Sequence, residues 1–341
     1  MSLTTALRKA YAVPAAAGLA LAAIGTAHAA DSAAAHRVAP KLHVTATVAL
    51  GRTSNMFGNV FTEAPNGALF YSRGAVVYVV TGHSAPHVAI HASRRVLALA
   101  ANASDLFVQT GLTVTEYSRS NDSKVRQWSL TSPVKPITSA GLIAVRHTLW
   151  SWTDWATDSS GFEYARISRI STSAGAVHVV DKQGYPADMA ADASGLYYEE
   201  VHGPANAGYL AHSSPGGRIT LRPDKNINAP LALAAGRVEL LSVHSDGRSY
   251  LDTYRTSLAR ISSVRVSDNY HMIAGTGVGL LVLAQPCTHL TCATASVSKL
   301  ASNGSVSGTL GVPNAFMLLT GPSAAVIEVS HGTMYLVRIA A

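Results

Sequence analysis

The sequence predicts an all-β protein, a seven-bladed β-propeller of four-stranded blades whose ring is closed by the N-terminal strand. Three observations carry this expectation. After residue 40 no segment sustains the i, i+3, i+4, i+7 apolar spacing of a helix, and short alternating runs rich in Val, Ile, Leu, Thr and Tyr are separated by Gly, Pro, Asn, Asp and Ser. A corner built from small apolar residues, a polar turn and a bulkier apolar run recurs as VLALAANASDLFV (96–108), ADMAADASGLYYEE (187–200) and PLALAAGRVELLSV (230–243). The residue that opens the second run falls at Leu69, Leu106, Leu149, Leu196, Leu240, Leu280 and Val326, in steps of 37, 43, 47, 44, 40 and 46 residues. That step is the length of one propeller blade.

The chain before the propeller divides in two. Residues 1–29 read as a secretory signal peptide: Arg8 and Lys9 come without an acid, YAVPAAAGLALAAIG is apolar, and Ala27-His28-Ala29 supplies a small-x-small cleavage pattern. The alternative is an uncleaved membrane anchor. The apolar stretch is mostly Ala and Gly and shorter than the roughly 20 strongly apolar residues a spanning helix needs, which favours cleavage. Residues 30–41 form an Ala-rich tail, and 42–341 form the propeller. The mature chain is therefore expected to be secreted, periplasmic or on the cell surface, with no membrane span.

Each repeat divides into four strands, a to d from the axis outward. In the second, a is VLALAA, b is DLFVQT, c is LTVTEYS and d is VRQWSL. Inner strands crowd a narrow channel and should carry small side chains, as LALAA, ADMAA, LALAAG and MIAG do. Strands b and c lie between neighbouring blades and should be apolar on both faces, as LFV, LWSW, LYY, LLVL and VIEV are. The seventh unit has a (AFMLLT), b (AAVIEVS) and c (TMYLVRI) and no d, while LHVTATVAL (42–50) alternates well and has no blade of its own. Pairing that segment as the outer strand of the last blade closes the ring and removes an exposed strand edge.

With these strands assigned, DMAADASGLYYEE (188–200) resembles the blade consensus of the secreted NHL, YVTN and SMP-30-like propellers, in which a strand ending in Asp leads through a Gly turn into Leu-Tyr. The resemblance covers the chain after residue 40 as architecture and is close in one blade. SWTD, within LWSWTD (149–154), is similar to the YWTD repeat of receptor propellers but occurs once. No Asp-box, WD40 Gly-His and Trp-Asp pair, kelch double Gly or tryptophan-docking motif is present, so the resemblance implies a fold and no particular activity.

Charge narrows the partners. Without Arg8 and Lys9 the 26 Lys and Arg fall to 24 against 19 Asp and Glu, a net charge of +5, with only 13% charged residues overall. Nucleic-acid binders cluster more basic residues than this, so a small molecule, a glycan or a protein is the expected partner and a monomer the expected state. Cys287 and Cys292, the only cysteines, read as a disulfide stapling a hairpin loop in an exported chain. A loop that short adds about 2 kcal/mol. The alternative, a metal site, needs four ligands, and only His289 lies between them.

Propellers bind ligands where the b–c and d–a loops surround the channel mouth. Arg52, Arg95, Lys135, Lys182, Lys225 and Arg248 all fall on those loops, with Tyr185 in the loop of Lys182, so the face is expected to be positive and to attract carboxylates, phosphates or sulfated sugars, unless these cations are simply solvated. Trp150 and Trp152 share a strand face and read as blade packing; Trp155, placed in the loop beside Asp154 and Asp158, is the candidate for stacking on a sugar. His83, His87 and His91 recur every four residues in a loop and an outer strand, where His87 and His91 are expected to share a face too far apart for one ion. Glu199, Glu200 and His202, with Asp188, Asn226, Asn228, Asp268, Asn269 and His271, form the set from which an acid/base pair or a divalent-cation site would be drawn. No other cofactor is implied. A serine hydrolase is disfavoured because no G-x-S-x-G elbow occurs. Asn102, Asn121 and Asn303 in N-x-S/T triplets read as turn residues.

The reading is a non-catalytic binding module with a mildly basic face, and a propeller hydrolase or lyase is its alternative. A truncation that begins at Gly51 removes the closing strand and is expected to lower the melting temperature sharply; an unchanged melt would refute the closure.

Overall fold

Among the described residues 28 strands form seven four-stranded antiparallel sheets, and no α-helix occurs. The computed structural model describes residues 41–53, 58–131, 140–155, 164–181, 185–202, 207–224, 229–284, 295–301 and 303–341, with 154, 155, 164, 181, 185–187, 201, 202, 207 and 224 described by backbone alone. Strand β1 (His43–Arg52) precedes the first blade, which is β2 (Phe61–Glu63), β3 (Leu69–Arg73), β4 (Val76–Val80) and β5 (His87–His91). Blade 2 is β6 (Ala98–Ala101), β7 (Asp105–Thr110), β8 (Thr113–Ser118) and β9 (Lys124–Ser129). Blade 3 is β10 (Ala140–Val145), β11 (Thr148–Trp155), β12 (Tyr164–Ser171) and β13 (Val177–Asp181). Blade 4 is β14 (Tyr185–Asp192), β15 (Gly195–His202), β16 (Ala207–Ser213) and β17 (Ile219–Asp224). Blade 5 is β18 (Leu231–Ala234), β19 (Arg237–Val243), β20 (Ser249–Arg255) and β21 (Arg260–Arg265). Blade 6 is β22 (Tyr270–Thr276), β23 (Gly279–Ala284), β24 (Ser296–Leu300) and β25 (Val306–Gly311). Blade 7 is β26 (Ala315–Leu319), β27 (Ala324–Ser330) and β28 (Thr333–Ala340), completed by β1 in the order β1-β28-β27-β26. The expected closure is therefore the observed one, and β26 touches β2 as each inner strand touches the next.

The core is not one body but seven hydrophobic clusters, one in each seam between neighbouring blades. A strand in the second position faces a seam on both sides, which is why β7, β15 and β23 contain the continuous apolar runs LFV, LYY and LLVLA rather than alternating ones. Trp150 and Trp152 fill the seam between blades 3 and 4 together with Met189, Leu196 and Tyr198, as their shared face predicts. The small inner strands have the expected cause: a Cβ added at Gly275 in β22 would lie 1.8 Å from the Leu233 carbonyl oxygen of the neighbouring inner strand. Blades 1 and 7 depart from the small-residue pattern, since Phe61 and Phe316, Met317, Leu318 and Leu319 are buried on β2 and β26.

The outer strands share a device that the sequence did not reveal. In six of the seven sheets the pairing of the outer strand with its neighbour is interrupted by β-bulges, at Ala89, Val125, Val180, Ile261 and Ser307 and, twice in β1, at Thr45 and Leu50. In the seventh, β17 pairs continuously with β16 but contains Pro223, which has no N–H to offer an added strand. The bulge at Ala89 also corrects the expectation for the histidines. His91 lies opposite Val76 and His87 opposite Val79, so the extra residue puts the two imidazoles on opposite faces. Asn102, Asn121 and Asn303 are turn residues as expected, each accepting the N–H of the serine two positions on.

Ring closure is reinforced at both ends of the seam between blades 7 and 1. At the end carrying the a–b turns, Arg338 of β28 donates to Glu63 of β2 at 3.2 Å, to the Ser323 hydroxyl at 2.8 Å and to the Gly67 carbonyl at 2.8 Å. The Glu63 side chain is fully buried and burial raises its carboxyl, against the opposing effects of Ser323 and Arg338. At the other end the Tyr71 hydroxyl donates to the Leu50 carbonyl at 2.6 Å, and burial pushes that phenol up to about 12. Tyr71 continues an aromatic row, Phe61 to Tyr71 to Tyr78, with ring centroids 6.1 and 5.2 Å apart.

Arg338→Ala leaves the Glu63 carboxylate buried without its cation and is expected to cost about 3 to 5 kcal/mol in urea unfolding, while Glu63→Gln in the same chain recovers part of that loss. Equal stability of the single and double variants would refute the coupling.

Candidate functional site

The b–c and d–a connections lie on one face of the ring, and the side chains there fall into three groups by what they already bind. The first is at the inner seam between blades 4 and 5. Asp188, in the half of β14 nearer the mouth, accepts the N–H of Leu231 on the next inner strand at 2.9 Å and that of Met189 at 2.8 Å. Desolvation pushes its carboxyl up to about 6, although the two N–H bonds pull the other way. Glu199 of β15 is fully buried and accepts the N–H of Ala229, so two acids of blade 4 hold the chain as it enters blade 5.

The second group is on blade 5. Asp252, fully buried on β20, accepts from His244 Nε2 at 2.8 Å, from Arg260 at 2.6 Å and from the Ser242 hydroxyl. Burial alone would raise this carboxyl; hydrogen bonds from Ser242, Ser263 and His244 and the Arg260 charge outweigh it and hold the group below the carboxylate range. His244 stacks on Tyr250 with centroids 4.0 Å apart, and the Tyr250 hydroxyl donates to Asp246 at 2.9 Å. Asp268, exposed on the following d–a link, accepts the Ser249 N–H at 2.7 Å and ties that link to the b–c loop of the same blade. This is a hydrogen-bonded brace: serine and histidine both bond the aspartate, and neither bonds the other, so it lacks the relay geometry of a nucleophile and its base.

The third group is cationic. Most arginines with a bonded guanidinium staple one blade to the next: Arg119 donates to Asn66 of blade 1 at 2.6 Å, Arg126 to the Thr172 carbonyl of blade 3 at 2.5 Å, Arg166 to the Thr131 carbonyl at 2.9 Å, and Arg222 to the Leu258 carbonyl of blade 5 at 2.6 Å. Arg52, Arg73, Arg94, Arg95 and Arg248 are exposed on the mouth face instead, as expected for Arg52, Arg95 and Arg248.

The expected site residues are thus only partly brought together. Arg52 ends β1 and Arg95 lies on the link from β5 to β6, both at the rim of the mouth face. Asp268 and His271 flank the start of β22, where desolvation lowers the His271 imidazole even though the residue as a whole stays exposed. Trp155, expected in a loop, is the last residue of β11 and pairs with Tyr164; Tyr185 opens β14 opposite Val201. Burial removes Glu199 and Glu200 from the open mouth. Lys135, Asp158, Lys182, Lys225, Asn226, Asn228, Cys287, His289 and Cys292 lie outside the described residues. Among the described residues no group of three or more His, Cys, Asp or Glu has metal-holding geometry, and no helix is long and apolar enough to cross a membrane.

Sequence reasoning passed over three residues. Arg73 stands at the tight b–c turn of blade 1, which is too short to look like a loop. Asp252 and Glu239 sit inside strands with no flanking motif. Glu239, buried on β19, accepts from the Thr253 hydroxyl at 2.6 Å, and desolvation pushes its carboxyl up to about 7 despite that bond and nearby Arg237.

Fold and site together define a seven-bladed propeller with an open, partly basic mouth face, and solved structures share that fold. A streptogramin B lyase matches with a TM-score of 0.59 and 11% identity, over 89% of this chain and 100% of that one. Selenomethionine-substituted virginiamycin B lyase from Staphylococcus aureus matches with a TM-score of 0.55 and 11% identity, over 88% and 100%. The β-propeller domain of Cps50 (Swd1) from Myceliophteria thermophila matches with a TM-score of 0.58 and 12% identity, over 86% and 99%. At such identities the likeness is one of fold. No protein-family model matches the chain, and no curated protein does.

Glu239 gives a signed pH dependence. Its carboxyl lies at about 7 in the folded chain against an ordinary 4.5, so the stability tied to the protonated form is present below pH 4.5 and lost as pH rises through 7. Glu239→Gln keeps a neutral side chain at every pH. Relative to the wild type, the variant should gain roughly 3 kcal/mol of unfolding free energy between pH 4.5 and pH 8. A difference that does not change with pH would refute the assignment.

Proposed function

We propose that this chain is a non-catalytic binding module that works outside the cytoplasm and takes an anionic ligand on the face made by the b–c and d–a connections. The observation that carries this reading is the engagement of the acids. Asp188, Glu199, Asp252 and Asp268 are all used as acceptors that hold one strand or link to another. Among the described residues the exposed arginines of the same face hold no strand or link to another, and a cationic surface over a low-dielectric rim attracts anions.

A second reading, a propeller lyase or hydrolase, is favoured by Asp188. A carboxyl at about 6 beside the channel mouth exchanges its proton near neutrality, as a general base must. The fold it shares with streptogramin B and virginiamycin B lyases gives that reading company without giving it residues.

Metal analysis and a thermal-shift screen with Ca2+, Mg2+ and Zn2+ on the mature protein separate the two. The binding reading expects no stoichiometric ion and no cation-dependent shift in the wild type. A shift of several degrees that disappears in Asp188→Asn, Asp268→Ala or His271→Ala would overturn it in favour of the enzyme.

A further inference from the structure

The exposed arginines are not spread evenly around the mouth face. Arg73 ends β3, and the turn that follows it is bracketed by the link to blade 2: Ala92 N–H bonds the Ala75 carbonyl at 2.8 Å, and Val96 N–H bonds the Gly74 carbonyl at 2.9 Å. Those two bonds wrap Arg94 and Arg95 around the turn that Arg73 opens. On the other side Arg73 reaches blade 7. A Cβ added at Gly51 would lie 2.8 Å from Arg73 Nη1, so the guanidinium crosses the strand next to Arg52, where Gly51 holds φ +104, a backbone that favours glycine. Thr53 N–H bonds the Gly332 carbonyl at 2.8 Å and fixes that strand end to blade 7. The result is a crescent of Arg52, Arg73, Arg95 and Arg94 across the seam between blades 7 and 1.

The crescent carries no counter-charge of its own. Among the described residues none of the four makes an ion pair, whereas Arg260 and Arg338 do. Between residues 41 and 104 the only acid is Glu63, which is fully buried and bonded to Arg338 at the opposite end of the seam. Glu328 on β27, the acid of that strand nearest the mouth, shares the face of Ala324 and Val326 that packs toward blade 6, is only partly exposed, and burial raises its carboxyl. Arg73, though exposed, lies 5.8 Å from the Tyr78 ring centroid, so its guanidinium leans on an aromatic face. All four cations are arginines, whose planar forks match oxyanions bidentately where lysine offers a point charge. Of the described aromatics beneath them, Tyr71 is buried and Tyr78 partly so.

We infer that this crescent binds a ligand carrying two or more neighbouring phosphate or sulfate groups, held by charge and bidentate hydrogen bonds across the seam between blades 7 and 1. The inference rests on the proposed anion-binding face and adds its place and its ligand chemistry. Engagement of both sides of the seam would also clamp the two blades that the N-terminal strand joins.

The test is isothermal titration of the full chain with tripolyphosphate and with a fully sulfated tetrasaccharide, two probes that distinguish the phosphate from the sulfate source. Either is expected to bind with salt-sensitive affinity. Arg94→Gln with Arg95→Gln, both on a surface link, should weaken binding by about a hundredfold, roughly tenfold for each guanidinium removed from the ligand. Arg52→Gln should act in the same direction. Arg218→Gln, exposed on the opposite face, should leave affinity unchanged. If the probes bind and the crescent variants match the wild type while other mouth-face arginines matter, the location is wrong and the anion-binding face stands. If neither probe binds at low salt, both are wrong.

Discussion

The rest of the molecule depends on the pairing of β1 with β28. Each blade is one flat sheet that cannot cover its own faces, and it acquires a core only from its two neighbours. A chain of such units has two bare ends. Placing β1 at the rim of blade 7 makes the first strand of the sequence and the last parts of one sheet, so neither end can withdraw without opening the ring. The Glu63–Arg338 pair and the Tyr71 bond to Leu50 lie at the two ends of the seam where this closure is made. Removing either weakens the closure of the whole ring.

The same geometry explains how the charges are distributed. A buried carboxylate in a seam is costly unless it receives hydrogen bonds, and Glu63, Asp188, Glu199 and Asp252 each receive them from a neighbouring strand or blade. Arginine suits the reciprocal role because its long stem reaches across a seam while its several donors meet backbone carbonyls. Blades 2, 3, 4 and 7 all use it in this way. A modest positive net charge thus conceals two populations, one structural and one displayed. The displayed one lies where the acids are fewest.

The repeat step, the four-strand division, the closing strand and the Trp150–Trp152 packing were legible because each depends on a period along the chain. What was not legible depends on contacts across it. Glu63 and Arg338 are 275 residues apart, and nothing local marks either as half of a pair. His87 and His91 were placed on one face by counting, and one inserted residue, Ala89, reverses the count. Arg73 looked like the end of a strand; its place in a crescent comes from Gly51, far back along the chain, lying beneath its guanidinium. The fold was written as a rhythm, and the candidate site as departures from it.

The interrupted outer strands set how this molecule can meet others. A ring of seven blades presents seven strand edges around its wall, each a ready template for a strand from a second copy, and each carries one exposed aliphatic residue such as Val44, Val125 or Leu221. Bulges in six sheets and one proline in the seventh interrupt the regular row of donors and acceptors that such growth needs. Sideways strand addition is disfavoured around the circumference. The wall is thereby a poor template for edge-to-edge strand pairing.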